Sequence, residues 1–362
     1  MLGPPGLVTR MLALAGKETV QLLRDRATLG MLLGVPLVQV LLFGFAIELT
    51  PKSLPVTLVS SAPDTAAGLE DIVREELGGV SVHHTDSMAS ARRLLSRGET
   101  VLVVNADDSP IHILVDATDP VLAGHALAAV ERITRRLVAS ESELAEFANE
   151  TVLEKLFNPG LRTQPYLVSG LLGMILTMTL VMMSALTVAR ERERGTLEGL
   201  VMLGVRPLEL AVGKLAPYFL LGVMQGLAVL MVAWLAFDVT VTGSAILLAA
   251  ASTVFYVANL ALGFLFSNLA QAQMPAMQMT FFFFLPSSLL SGFMFPFIAM
   301  PAWAQRIGEL LPLTHFLRVV RGLVLRDVDP SYVMGELLPI AAFAILTLAI
   351  ALWRCGRQLR GA

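Results

Sequence analysis

The densest run of ionisable side chains in this sequence is Arg190, Glu191, Arg192, Glu193 and Arg194, inside TVARERERGTLEGLVMLGVRPLELAVGK (187–214). A charge at a bilayer centre costs ~2.5–3.5 kcal/mol, so the run must reach water or a protein partner. Other residues that could do chemistry are sparse. The five histidines are His83, His84, His112, His125 and His315. His83 and His84 are neighbours, and on a strand they point to opposite faces, so no converging metal site is expected. No G-x-x-x-x-G-K-[ST] run occurs, and Gly16-Lys17 and Gly213-Lys214 lack the rest of that pattern. A nucleotide phosphate is therefore not cradled by that route. H-E-x-x-H, C-x-x-C and G-x-S-x-G are absent, and the single Cys355 excludes an intrachain disulfide.

The elements that must position the charged run are hydrophobic spans. Hydrophobic residues make up 55% of the chain and charged residues only 15%, well below the roughly 25% charged residues of soluble domains. Stretches 28–47, 167–189, 215–237, 245–267, 276–298 and 336–353 are each long and apolar enough to cross a bilayer. The spacing predicts an α-helical polytopic membrane protein with six transmembrane helices. The first span is too long and too far along for a signal peptide. Arg10, Lys17, Arg24 and Arg26 precede it. Arg190, Arg192, Arg194, Arg206 and Lys214 lie between spans 2 and 3, and Arg354, Arg357 and Arg360 follow the last span. This distribution predicts that both termini (1–27 and 354–362) and the 190–214 loop are cytoplasmic.

The long loop 48–166 is then extracytoplasmic and reads as an inserted α/β domain. Strands are predicted at 56–61, 80–84, 100–104 and 111–116. Helices are predicted at 64–77, with Asp64 as N-cap, and at 86–98, ended by Gly98. A long helix from Asp119-Pro120 to about Phe157 is expected to support the domain above the membrane. Residues 5–26 suggest a surface helix with Val8, Met11, Leu12, Ala15, Thr19, Leu22 and Leu23 on its apolar face. The outer loop 299–335 is amphipathic and is expected to lie in the interface as short helices, with Trp303 at headgroup level.

The spans hold almost no ionisable group. Glu48, Asp238 and Glu336 sit only at their ends, which argues against coupling through a buried carboxylate. If the chain moves something uphill, energy enters from a partner. Gln39, Met178, Met182, Gln278, Phe281, Phe284 and Ser287 are the pathway candidates. Flexible Met and aromatic side chains suit varied apolar ligands, and polar groups can line a path or join helices. Pro286 and Pro296 are expected to break span 5.

Behind the charged run, Gly195-Thr196 can start a short helix with Leu197, Leu200, Val201 and Leu203 on its apolar face. Gly204 ends it, and Arg206-Pro207 opens the next helix with Glu209 in its first turn. An exposed apolar knob flanked by charges is a candidate docking element.

ARERERGTLEGLVMLGVRPLELAVGKLAPYF resembles the first cytoplasmic loop of ABC-2 type exporter permeases, where E-x-E-x-G-T-L-E and a later G-K recur. FNPGLRTQPYLVSGLLG is similar to the segment entering their second span. PAWAQRIGELLPLTHFLRVVRGLVLRD resembles their last outer loop. The order of spans and the large first external loop match as well. Two positions depart: Ser169-Gly170 where Pro-Gly is common, and Leu203-Gly204 where Thr-Pro is usual.

The resemblance implies a permease subunit without enzymatic activity, in a bacterial inner membrane, exporting hydrophobic or amphipathic molecules. Its expected partners are cytosolic ABC ATPase subunits, a second permease copy or paralogue, the lipid bilayer and a periplasmic adaptor, with no nucleic acid. ATP and magnesium would bind the ATPase, and this chain would bind no cofactor. Residues 195–204, with Gly195, Thr196, Leu197, Glu198 and Leu200, would form the coupling helix. Residues 190–194 would flank it, the N-terminal helix would brace it, and spans 1, 2 and 5 would line the pathway. The alternatives are a membrane-anchored receptor or scaffold, excluded by a stoichiometric ATP-binding partner, and an ion-coupled carrier, recognised by its dependence on an ion gradient.

Overall fold

The computed structural model describes residues 7–24, 54–60, 63–77, 81–105, 107, 111–139, 151–196, 199, 202, 204–326 and 328–361. Span 28–47 and Gln39 lie outside the described residues.

Short β-rich runs and amphipathic helices alternate from Leu54 to Leu156. They give β1 (Val56–Val59), α2 (Pro63–Leu77), β2 (Val82–Thr85), α3 (Met88–Arg97), β3 (Leu102–Asn105), β4 (His112–Asp116), α4 (Pro120–Ala139) and β5 (Val152–Leu156), after α1 (Leu7–Arg24). The strands form one sheet in the order β2-β1-β3-β4-β5. β1 runs parallel to β2 and β3, β3 is antiparallel to β4, and β4 is parallel to β5. Alternation sends Val56, Leu58, Leu102, Val104, Ile113 and Val115 into a core shared with α2 and α4. Val59, Val103 and Leu114 face Ala91 and Leu95 of α3 on the other side. The central strands are buried on both faces, which is why β3 reads as continuous Leu-Val-Val.

Two predictions are corrected in this unit. The helix over 63–77 begins at Pro63, so Asp64 lies inside its first turn and does not precede it. The helix starting at Pro120 is described to Ala139, and Val152–Leu156 is a strand paired with β4, not the end of a long helix. Sequence VLEKL fits either period over five residues, and pairing with an open sheet edge decides it. Exposed Glu154 and half-buried Lys155 put charges on that edge. The unit therefore joins the helix that begins at Thr163 through the turn Phe157–Arg162. There the Asn158 side chain donates to the Arg162 carbonyl (2.9 Å) and accepts from its amide (3.0 Å).

The remaining elements are α5 (Thr163–Glu193), α6 (Pro207–Phe237), α7 (Ala245–Leu269), α8 (Gln273–Leu290), a 3₁₀ turn (Phe297–Ala299), α9 (Ala302–Gly308), α10 (Pro312–Arg321), a π turn (Gly322–Arg326) and α11 (Pro330–Gly361). Among the described residues, four helices are long and apolar enough to cross a membrane: α5, α6, α7 and α11. α8 is shorter than the span expected over 276–298. It continues through Pro286 and ends at Leu290, before Gly292 at φ +84°, so a left-handed glycine makes the break.

α5 is the buried centre of the bundle, packed by α6, α7, α8 and α10. Its closest crossing is with α7, where a Cβ on Gly263 would meet the Ser184 hydroxyl and the Val181 carbonyl. Small residues here let the two backbones touch. Helix α10, from the loop 299–335, is packed into the helical bundle. Leu313, Phe316, Leu317 and Val320 are buried, and Phe316 stacks on Phe255 of α7 at 3.9 Å between ring centroids. Trp303 remains exposed.

Candidate functional site

Consecutive residues on a helix turn by about 100°, so five charges in a row cannot share one face. At the end of α5 they are dealt to different neighbours. Glu191 turns inward and is buried. It accepts hydrogen bonds from Lys17 Nζ of α1 at 3.0 Å, from Lys214 Nζ of α6 at 3.0 Å and from the Thr196 hydroxyl. Arg192 donates to the Ala270 carbonyl after α7 and to Gln358 of α11 at 2.7 Å. Glu193 accepts from the Gln273 backbone N–H at 2.9 Å and from its side chain at 3.2 Å, closing the start of α8. Arg190 is half-buried and Arg194 is exposed.

The expectation that the whole run reaches water or a partner is therefore corrected. Arg194 is exposed, but Glu191 lies inside, where two lysines repay its desolvation.

Lys214 completes the cluster from the other side. It is 2% exposed and also lies 3.5 Å from Glu18 of α1, whose other oxygen accepts from the Tyr218 hydroxyl at 3.0 Å. Lys17, Glu18, Glu191 and Lys214 thus form a charge-neutral set joining α1, α5 and α6. A glycine makes it reachable. A Cβ on Gly213 would sit 2.7 Å from Leu14 Cβ and 3.2 Å from the Met11 carbonyl, so only glycine lets α1 cross α6 one residue before Lys214.

The buried side of α1 is accordingly displaced from the predicted stripe. Met11, Ala15 and Thr19 are partly buried as expected, but Leu12 is 67% exposed, while Leu14 packs inward and Glu18 is buried. The side chains of Val8, Leu22 and Leu23 lie outside the described residues.

The connection from α5 to α6 is closed at both ends by local chemistry. Gly195, at φ +68°, terminates α5. Its amide bonds the Arg192 carbonyl, and the Thr196 amide bonds the Glu191 carbonyl, the Schellman pattern. Gly195-Thr196 thus closes α5 immediately before the segment expected to form the short helix. At the other end Gly204 takes φ +64°, and Pro207 opens α6 with Glu209 accepting from the Arg206 amide at 3.1 Å, as expected. Between them Gly199 and Met202 have helical backbone and are exposed, Met202 by 88%. Leu197, Glu198 and Leu200 lie outside the described residues, as do Val201 and Leu203.

The described pathway candidates lie on two helices, α5 and α8, that pack against each other. Met178 is half-buried and Met182 buried on α5, whereas on α8 Gln278 and Phe281 are exposed, Phe284 is half-buried and Ser287 is buried. None lines the cavity of about 320 Å³ between α5, α6 and α10, bordered by Ser169, Leu172, Trp234 and Val324. Among the described residues no cluster of three or more His, Cys, Asp or Glu could hold a metal ion.

The family model of the ABC-2 family transporter proteins matches residues 26–353. The chain belongs to the ABC-2 transporter family. Its relatives include the probable multidrug ABC transporter permease YbhS of Escherichia coli K12, 27% identical across 97% of both chains. The probable multidrug ABC transporter permease YbhR of the same strain is 26% identical over 93% of this chain and 96% of its own length. ABC transporter G family member 20 of Dictyostelium discoideum is 21% identical over 94% of this chain, which covers 50% of that protein.

The residues missed by motif reading are the Lys17–Glu18 pair and Lys214 as partners of Glu191. One signal was available. α6 starts at Pro207, which places Lys214 about two turns inside an otherwise apolar helix, and a lone charge there demands a counter-charge.

Proposed function

We propose that this chain is the permease subunit of an ATP-driven exporter of hydrophobic or amphipathic molecules, and that the 195–206 connection receives the motion of a separate ATPase subunit. The observation that carries the reading is the Lys17–Glu18–Glu191–Lys214 set, in which Glu18, Glu191 and Lys214 are buried. A loop that merely fixed topology would need only exposed charges. Here the flanks of an exposed loop are bonded to α1, α5 and α6 at once, so a push on the loop moves three helices together.

In this reading the charged run marks the cytoplasmic side, both termini share it, and the α/β unit lies outside. ATP and magnesium belong to the ATPase, and a second permease completes the assembly. The names of YbhS and YbhR, as multidrug permeases, support the substrate class, and the relatives do not favour a receptor or scaffold. Met202→Asp tests the docking role. The complex with its ATPase should insert normally but lose most transport-linked ATP hydrolysis. Undiminished hydrolysis and export would remove the loop from the coupling path.

A further inference from the structure

Where the α/β unit meets the near ends of α5, α10 and α11 there is a cavity of about 370 Å³, within the range of ~300–1,000 Å³ typical of ligand sites. Arginines 97, 318, 321 and 326 line it. Two of them are committed. Arg326 holds Asp116 at 2.5 Å and Thr118 at 3.0 Å, and Arg318 holds Glu309 at 2.5 and 3.1 Å and Glu336 at 3.5 Å.

Arg321 is different. Its Nη1 donates to the Gly292 carbonyl at 3.0 Å, and its guanidinium lies 4.1 Å over the Tyr166 ring. Its Nε and Nη2 are shielded from solvent and find no acceptor in hydrogen-bond geometry, although the Tyr166 hydroxyl and the Asp119 carboxylate are near enough to act on the guanidinium electrostatically. The N–H groups on these two atoms point the same way and form the fork that matches two oxygens of one phosphate or carboxylate. Leaving such donors unpaired is costly, and the Tyr166 ring holds the fork's plane in place.

One oxygen of the neighbouring carboxylate is occupied. Asp119 Oδ1 caps α4, accepting from the Val121 amide at 2.9 Å and the Leu122 amide at 3.2 Å. Burial raises the Asp119 pKa against the opposing pull of Arg321, which weakens it as a counter-ion. Tyr166 sits in the first turn of α5 and Glu336 in the second turn of α11. The cavity is therefore at the end of the membrane helices, where headgroups lie.

We propose that this cavity binds a phosphate group, gripped at two points by the Nε and Nη2 of Arg321, with the α/β unit as its roof. The inference does not rest on the exporter reading. The test measures the thermal midpoint of the delipidated full chain in detergent while phosphatidylglycerol, diacylglycerol or inorganic phosphate is titrated in. Phosphatidylglycerol should stabilise the wild type and diacylglycerol should not. Stabilisation by inorganic phosphate at comparable concentration would mark a free anion as the ligand; its absence would mark the lipid headgroup. Arg321→Lys, which keeps the charge and loses the fork, should weaken the effect about tenfold or more. Asp119→Asn keeps an equally good cap and removes the competing charge, so phosphate should bind more tightly. Equal stabilisation by diacylglycerol, an effect unchanged in Arg321→Lys, or weaker binding in Asp119→Asn would overturn the site.

Discussion

Lys214→Met removes the centre of the buried charge set while keeping its length and apolar stem. Lys214 is 2% exposed and lies within 3.5 Å of both Glu18 and Glu191. Without it Glu191 keeps only Lys17, which is 51% exposed, and Glu18 keeps only the Tyr218 hydroxyl. The Lys17 pair is screened and contributes ~0–1 kcal/mol, whereas removing one partner of a buried pair costs ~3–5 kcal/mol. The expected loss is therefore about 3–5 kcal/mol, read as a lower midpoint of thermal unfolding for the purified chain. Glu18→Gln in the same background leaves Glu191 with Lys17 and keeps an acceptor for Tyr218. The double variant should thus recover about 1–2 kcal/mol relative to Lys214→Met alone, a non-additivity expected of groups in one network. A Lys214→Met chain as stable as wild type, or additive effects of the two substitutions, would refute a mutually dependent charge set.

Gly213→Ala places a methyl against Leu14 and the Met11 carbonyl, so α1 should leave α6 and lose protease protection without loss of the bundle. His315 donates from Nδ1 to Glu336 at 2.6 Å and from Nε2 to the Glu309 carbonyl at 2.8 Å, which requires the imidazolium. Burial alone would lower its pKa, but the bonds to Glu336 and Glu309 outweigh burial and the pKa is raised above 6.5. Its contribution is complete below 6.5 and is lost as pH rises through the native value. Thermal stability should fall across that rise, and His315→Gln should flatten the profile. Arg326→Gln strips Asp116, a buried carboxylate, of its ion-pair partner. It should cost about 3 kcal/mol and accelerate hydrogen exchange around Thr118.

Composition and charge placement made the helical membrane class and the α/β unit legible, because hydrophobic length and strand alternation are local signals. Gly98 and Pro207 were readable for the same reason: each punctuates a helix by its own backbone preference. What was hidden depends on distant partners. Val152–Leu156 became a strand because β4 offered an open edge. Glu191 looked like one of five solvated charges, and only Lys17 and Lys214, far from it in sequence, turn it inward. Leu12 and Leu14 are chemically alike on α1, and the crossing at Gly213 selects Leu14. Arg321 closes the P-x-T-x-F-x-x-x-x-R pattern of the 299–335 loop, but its unpaired fork is visible only in three dimensions.

In the proposed function the charge set carries motion from the connection between α5 and α6 into the bundle. The most direct test is export and ATP hydrolysis by the complete complex carrying Glu18→Gln with Lys214→Met, the pair that keeps the remaining charges matched while removing the charged link from α6 to α1 and α5. The expected result is a stable, fully assembled complex that hydrolyses ATP without proportionate export. Export at the wild-type rate per ATP hydrolysed would contradict that assignment.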